Sequence, residues 1–144
     1  MPQRTLKDIV GNRDLQYVAP DAPVHEACQK MHDHHVTAVL VIDGDQLKGI
    51  FTKRDLLRRV VVAGLDPNTT PIAAVMTSNP IALAARKLGF EAVRTMRDEK
   101  TRHMVVTGLQ PGPYGVISLR DILGKELAAF ENELAFENKV WEEI

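Results

Sequence analysis

The 144 residues are 44% hydrophobic and 26% charged, an ordinary balance for a globular chain with one core or two half-size units sharing one. The formal charge of −1 conceals a division: residues 121–144 hold two basic and seven acidic side chains, leaving +4 over residues 1–120. So weakly basic a body suits a small anionic ligand rather than a nucleic-acid surface, and a single cysteine, Cys28, excludes an internal disulfide.

The first ten residues lack the apolar stretch of a signal peptide. The longest apolar runs, such as Val39–Ile42 and Val60–Ala63, are far too short to span a bilayer. A cytoplasmic protein with no membrane partner is expected. Val24, Ala27, Cys28 and Met31 fall at helical spacing, and a β-branched run over Val36–Ile42 follows. Asp43-Gly44-Asp45 signals a hairpin, Leu47–Phe51 a second strand, and Thr52 the start of a helix. Residues 64–71, with Gly64, Pro67 and Pro71, read as a linker. The same order then returns. Leu88, Ala92, Val93 and Met96 keep helical spacing, Met104–Thr107 and Tyr114–Ile117 read as strands around a proline-rich turn, and Ser118 opens a helix.

The return is a repeat in sequence as well as in pattern. Gly49-Ile50-Phe51-Thr52-Lys53-Arg54-Asp55-Leu56-Leu57 recurs 66 residues later as Gly115-Val116-Ile117-Ser118-Leu119-Arg120-Asp121-Ile122-Leu123. Upstream the offset is 65: Glu26-Ala27 matches Glu91-Ala92, Met31 matches Met96, and Val39-Leu40-Val41 matches Met104-Val105-Val106. The change falls in the turn, where insertions are tolerated. The expected fold class is therefore α/β (α+β), with two βαββα repeats. A unit of roughly 60 residues buries too little core by itself, so the two should pack sheet to sheet. The divisions are 1–63 for the first repeat with its lead-in, 64–71 for the linker, 72–124 for the second repeat, and 125–144 for a C-terminal amphipathic helix.

Thr52-x-x-Asp55 and Ser118-x-x-Asp121 are capping-box patterns, each placed where a strand gives way to a helix. Cationic neighbours accompany both, Lys53 and Arg54 in one copy and Arg120 in the other. A helix N-terminus already favours an anion, and a short carboxylate can accept both hydroxyls of a ribose. Hydroxyl, carboxylate and cation together describe a half-site for a sugar and its phosphate, and that use is compatible with capping.

The repeat resembles the cystathionine-β-synthase (CBS) domain, and the whole chain resembles a tandem CBS pair, or Bateman module. The residues that carry the likeness are Val24-His25-Glu26-Ala27, Met31, Val39–Asp43 and Gly49–Asp55 with their second-copy partners, together with Met76–Ile81. It covers about residues 5–124. The resemblance implies that Thr52, Asp55, Ser118 and Asp121 hold ribose and phosphate. For the adenine it implies Tyr17, Val18, Thr37, Ala38 and Val39 in one copy, and Thr77, Pro80, Ile81, Arg102, His103 and Met104 in the other. The second copy departs from the pattern, having Leu83–Leu88 where the first has Pro20-Asp21 ahead of its helix.

His32-Asp33-His34-His35 has metal-ligand types, but it closes a helix, where imidazoles suit the negative dipole end, and no metal is expected. Cys28 sits on the apolar helical face and reads as packing. Leu123, Leu127, Phe130 and Leu134 form an a/d seam that Trp141 and Ile144 rejoin after Glu137, which predicts a self-associating helix. CBS pairs commonly dimerise, so the resemblance also implies a homodimer. The expected function is regulatory and non-enzymatic: AMP, ADP or ATP binds between the repeats, changes dimer geometry and tunes an unidentified protein partner, with no cofactor required. S-adenosylmethionine or NAD are alternative ligands, and a ligand-free scaffold is the alternative role. No nucleophile–base pair or P-loop points to catalysis.

Overall fold

The structure, a computed structural model, describes residues 4–110 and 112–122. The helical seam expected between Leu123 and Ile144 lies outside these residues.

Thr5 opens the first helix. Its Oγ1 accepts from the Asp8 amide at 3.2 Å, and the Asp8 carboxylate accepts from the Thr5 amide at 3.1 Å. This reciprocal cap starts α1 (Leu6–Val10). The first repeat then runs β1 (Tyr17–Val18), α2 (Val24–His34), β2 (Ala38–Asp43), β3 (Gln46–Thr52) and α3 (Lys53–Asp55), which continues in π-helical geometry over Leu56–Val61. A 3₁₀ turn over Ile72–Ala74 precedes β4 (Thr77–Ser78). The second repeat follows as β5 (Ala82–Ala84), α4 (Gly89–Glu99), β6 (His103–Thr107) and β7 (Tyr114–Ser118), with helical residues from Leu119. Both repeats thus have the βαββα order.

In the first sheet β1 pairs parallel to β2, while β2 and β3 form an antiparallel hairpin closed by Gly44 and Asp45. Gly44 has φ 62°, a value that glycine adopts without penalty. Val41 faces Gly49 and Ile42 faces Leu47, which leaves Lys48 as a bulge. β4 joins the far edge of β3, giving the order β1-β2-β3-β4. The second sheet is β5-β6-β7, with β5 parallel and β7 antiparallel to β6.

Strand alternation sorts the side chains into three apolar layers. Val39 and Val41 pack with Ala27 and Met31 of α2 around Phe51, and Met104 and Val106 pack with Ala92 and Met96 of α4. Ala38, Leu40 and Ile50 of the first sheet meet Val105 of the second, with Tyr114 and Val116 packed alongside. The two repeats therefore pack sheet to sheet.

The lead-in segments are exchanged between the repeats. The Leu6 amide donates to the Lys87 carbonyl at 2.8 Å, and 66 positions later the Ile72 amide donates to the Ala22 carbonyl at 2.8 Å. Leu6, Ile9 and Val10 complete the second repeat's core, and Ile72 and Val75 complete the first's. Leu6 and Ile72 are both fully buried, a contribution of about 1.5–3 kcal/mol each. Each repeat borrows part of its core from the other's approach.

The motif glycines follow from this crossing. A Cβ on Gly49 would lie 2.6 Å from the Thr77 carbonyl oxygen and 2.7 Å from the Met76 sulfur. A Cβ on Gly115 would lie 2.8 Å from Leu109 and 3.3 Å from Val10, the repeat equivalent of Met76. At Gly49 the contact is with backbone, so only glycine lets the second lead-in pass so close to the strand before the cap.

Candidate functional site

Both capping boxes form. The Asp55 carboxylate accepts from the Thr52 amide at 3.0 Å, and the Asp55 amide donates to Thr52 Oγ1 at 3.3 Å. In the second copy the Asp121 carboxylate accepts from the Ser118 amide at 2.8 Å, and the Asp121 amide donates to Ser118 Oγ at 3.2 Å. The lead-in exchange then sets what each cap faces. Asp55 looks onto the segment before β5, and Asp121 looks onto the segment before β1.

Asp55 is the one buried charged side chain among the described residues. Its Oδ2 accepts from the Thr52 hydroxyl at 3.2 Å and its Oδ1 from the Thr77 hydroxyl at 3.2 Å, with Arg59 Nε 3.6 Å away. One hydroxyl on each carboxylate oxygen is the pattern a vicinal diol supplies. Asp121 has a different partner, the Arg13 guanidinium, at 2.9 Å. Burial pushes its pKa upward, but the Ser118 amide and Arg13 outweigh that, and the carboxyl is held below its ordinary value.

A cleft of about 1020 Å³ lies against the first cap and one of about 1180 Å³ against the second. Lys53, Arg54 and Arg102 line the first with Thr52 and Asp55, and Thr77, Pro80 and Ile81 supply the opposite wall. Ala38 and Asp121 line the second. Thr37, His103, Ser118 and Arg120 line both, so the two clefts share a partition. Thr37 Oγ1 and His103 Nε2 share a hydrogen bond at 2.6 Å within it. Burial lowers the His103 pKa, with Asp121 and Asp55 pulling it up and Arg102 pushing it down, so the site favours the neutral ring.

Tyr17, Val18, Val39 and Met104 line neither cleft. Tyr17 is exposed, with the Lys30 ammonium 5.6 Å from its ring centroid. Val18, Val39 and Met104 are buried in the layers under the helices, because the side-chain period along their strands turns them away from the clefts. Sequence reasoning passed over Arg13, Arg58, Arg59, Asn79 and Lys100, which line the clefts. Arg59 follows Asp55 at i,i+4, a spacing readable in advance. Arg13 carried no such signal.

His34 ends α2 and His35 caps it at φ 53°. Among the described residues no group of three or more His, Cys, Asp or Glu side chains is placed to hold a metal ion. Cys28 packs against the first core, and burial raises its thiol pKa. No helix of the described residues is long and apolar enough to cross a membrane.

Comparison with known proteins finds the CBS domain family twice, at residues 6–62 and 72–127. CBSX3 of Arabidopsis thaliana, a mitochondrial CBS domain-containing protein, is 30% identical over 141 residues, covering 90% of this chain and 68% of that protein. CBSCBSPB3 of the same plant is 31% identical over 124 residues, or 86% of this chain. The chain spans only 22% of that relative, about a fifth of the length of the curated relatives of this group. Among solved structures, the CBS-domain containing protein ATU1752 from Agrobacterium tumefaciens superposes with a TM-score of 0.74 at 29% identity, covering 85% of this chain and 98% of that one. PAE2072 from Pyrobaculum aerophilum, a CBS domain protein complexed with AMP, superposes with a TM-score of 0.70 at 24% identity, covering 82% and 88%.

Proposed function

Since the chain belongs to the CBS domain family, as a tandem pair of its repeats, we propose that it is a regulatory, non-enzymatic module that binds an adenine nucleotide between them. The observation that carries this reading is Asp55. A buried carboxylate accepting one hydroxyl on each oxygen, beside a helix N-terminus and cationic side chains, matches the chemistry of a ribose phosphate. That PAE2072 was solved with AMP supports the fold's capacity for such a ligand. In this reading Thr52 and Asp55 hold the sugar, Lys53 and Arg54 the phosphate, and Pro80, Ile81 and Arg102 the base; Ser118, Asp121 and Arg120 repeat the arrangement.

A binder becomes a regulator only if its ligand distinguishes two arrangements of the protein. Leu57, Val61 and Val62 are exposed on the π-helical segment after α3 and at its end, which supports association into a homodimer whose geometry the nucleotide biases. A protein partner reading that geometry completes the proposal.

A thermal-shift panel of AMP, ADP, ATP, S-adenosylmethionine and NAD tests it. A true ligand at a hundred times its Kd adds about 2.7 kcal/mol of stability. The Asp55→Ala, Asp121→Ala double variant should lose the shift. If no adenine compound raises the melting temperature, or if the double variant shifts as far as the parent, the reading is wrong.

A further inference from the structure

We propose that the two clefts select adenylates of different charge: the Asp55 cleft takes the di- or triphosphate, and the Asp121 cleft does not favour the longer chain. This rests on the adenine-nucleotide reading and adds to it which phosphate chain each cleft takes. Among the described residues Lys53, Arg54, Lys100 and Arg102 line the Asp55 cleft against Asp55 and Glu99, a formal charge of +2; Arg58 and Arg59 line it too, and their repeat counterparts, 124 and 125, lie outside the described residues. Lys7, Arg13 and Arg120, the counterpart of Arg54, line the other against Asp8, Asp14 and Asp121, a formal charge of zero among the described residues. Over the positions described in both repeats, two charges therefore separate the clefts.

The difference is written position by position into the repeat. Lys53 corresponds to Leu119, and Arg102 to Thr37. Lys100 corresponds to His35, and both are left-handed residues closing a helix, at φ 56° and 53°, so the side chain changed while the backbone did not. The exchange runs the other way in the segments facing the caps, where Arg13 lines the second cleft and Asn79 the first. Arg13 spends its charge on Asp121 at 2.9 Å, as Arg59 does on Asp55 at 3.6 Å, which leaves Lys53, Arg54, Lys100 and Arg102 to set the first cleft apart. A phosphate chain carrying three or four negative charges gains more from the first cleft's field than from that of the described residues of the second. The added cations are exposed, so their attraction is screened by salt, a signature that packing contacts do not share.

Calorimetric titration of AMP, ADP and ATP, in EDTA so that no metal masks the phosphates, reads each cleft through a single-cleft variant. Asp121→Asn leaves the Asp55 cleft. There affinity should rise about tenfold from AMP to ATP, about 1.4 kcal/mol. The gain should shrink as salt is raised from about 50 to about 500 mM. Asp55→Asn leaves the other cleft, where ATP should bind no tighter than AMP. Reversing the two exposed cations in Arg58→Glu, Lys100→Glu should bring the ratio of ATP to AMP affinity in the Asp55 cleft down to near one. AMP binding without an ATP gain in Asp121→Asn overturns this inference alone, as does an equal gain in Asp55→Asn or an undiminished ratio after charge reversal. Failure of the parent to bind any adenylate overturns the functional reading and this inference together.

Discussion

Thr37 and His103, one from each repeat, meet at 2.6 Å in the partition shared by the two clefts. The positions are close to repeat equivalents, since Ala38 is the counterpart of His103 and Arg102 of Thr37. The bond joins β2's approach to the first residue of β6, directly beside the layer where Ala38 and Leu40 meet Val105. Thr37→Val keeps the shape and removes the hydroxyl, leaving a half-buried imidazole nitrogen without its partner. A loss of about 1–2 kcal/mol in urea unfolding is expected. An unchanged midpoint would show that the contact contributes nothing.

His103 also makes a pH prediction. Burial depresses its pKa from the ordinary 6.5, despite the opposing fields of Asp121 and Asp55, and Arg102 adds to the depression. The unfolded chain then binds the proton more readily than the folded one, so stability is full above about pH 6.5 and falls as the pH drops below it. Gln at this position can keep a hydrogen bond to Thr37 and cannot titrate. The melting temperature of His103→Gln should therefore gain on that of the parent between about pH 7 and pH 5. Parallel curves would remove His103 from the acid response.

Gly49→Ala and Gly115→Ala should not cost the same. The Cβ at residue 49 meets backbone, the Thr77 carbonyl oxygen at 2.6 Å, whereas the Cβ at 115 meets the side-chain tips of Leu109 and Val10. Tips rotate and a paired strand does not. Gly49→Ala should lose about 2–3 kcal/mol in denaturant unfolding, and Gly115→Ala about 1 kcal/mol. The reverse order would mean that the β4 crossing is looser than its geometry implies.

The exchanged lead-ins predict a symmetry in stability. Leu6→Ala opens a cavity in the second repeat's core and Ile72→Ala one in the first's, each for a fully buried side chain. Both should cost about 2–5 kcal/mol and unfold the whole chain in one transition. Two separated transitions in either variant would show that the repeats fold independently.

Thr52-x-x-Asp55 and Ser118-x-x-Asp121 were legible because a cap is a local device, set by residues three apart. The same locality limits what they say. Thr5-Leu6-Lys7-Asp8 forms an equivalent box at the head of α1, so the pattern alone does not mark a site. Val18, Val39 and Met104 show a further limit. Sequence position puts them beside the clefts, and the strand period turns their side chains into the cores.

The sequence by itself determined the repeat, its βαββα order, the hairpin at Gly44 and both caps, since each depends on neighbours within a few residues. Tertiary structure alone decided which walls face which caps. The lead-ins cross between repeats, and a contact such as Arg13 with Asp121 spans more than a hundred residues of chain that no local pattern encodes. For the same reason Asp121 meets Arg13 of the first repeat's lead-in, whereas Asp55 meets Thr77 and Arg59, although the caps beneath them are alike.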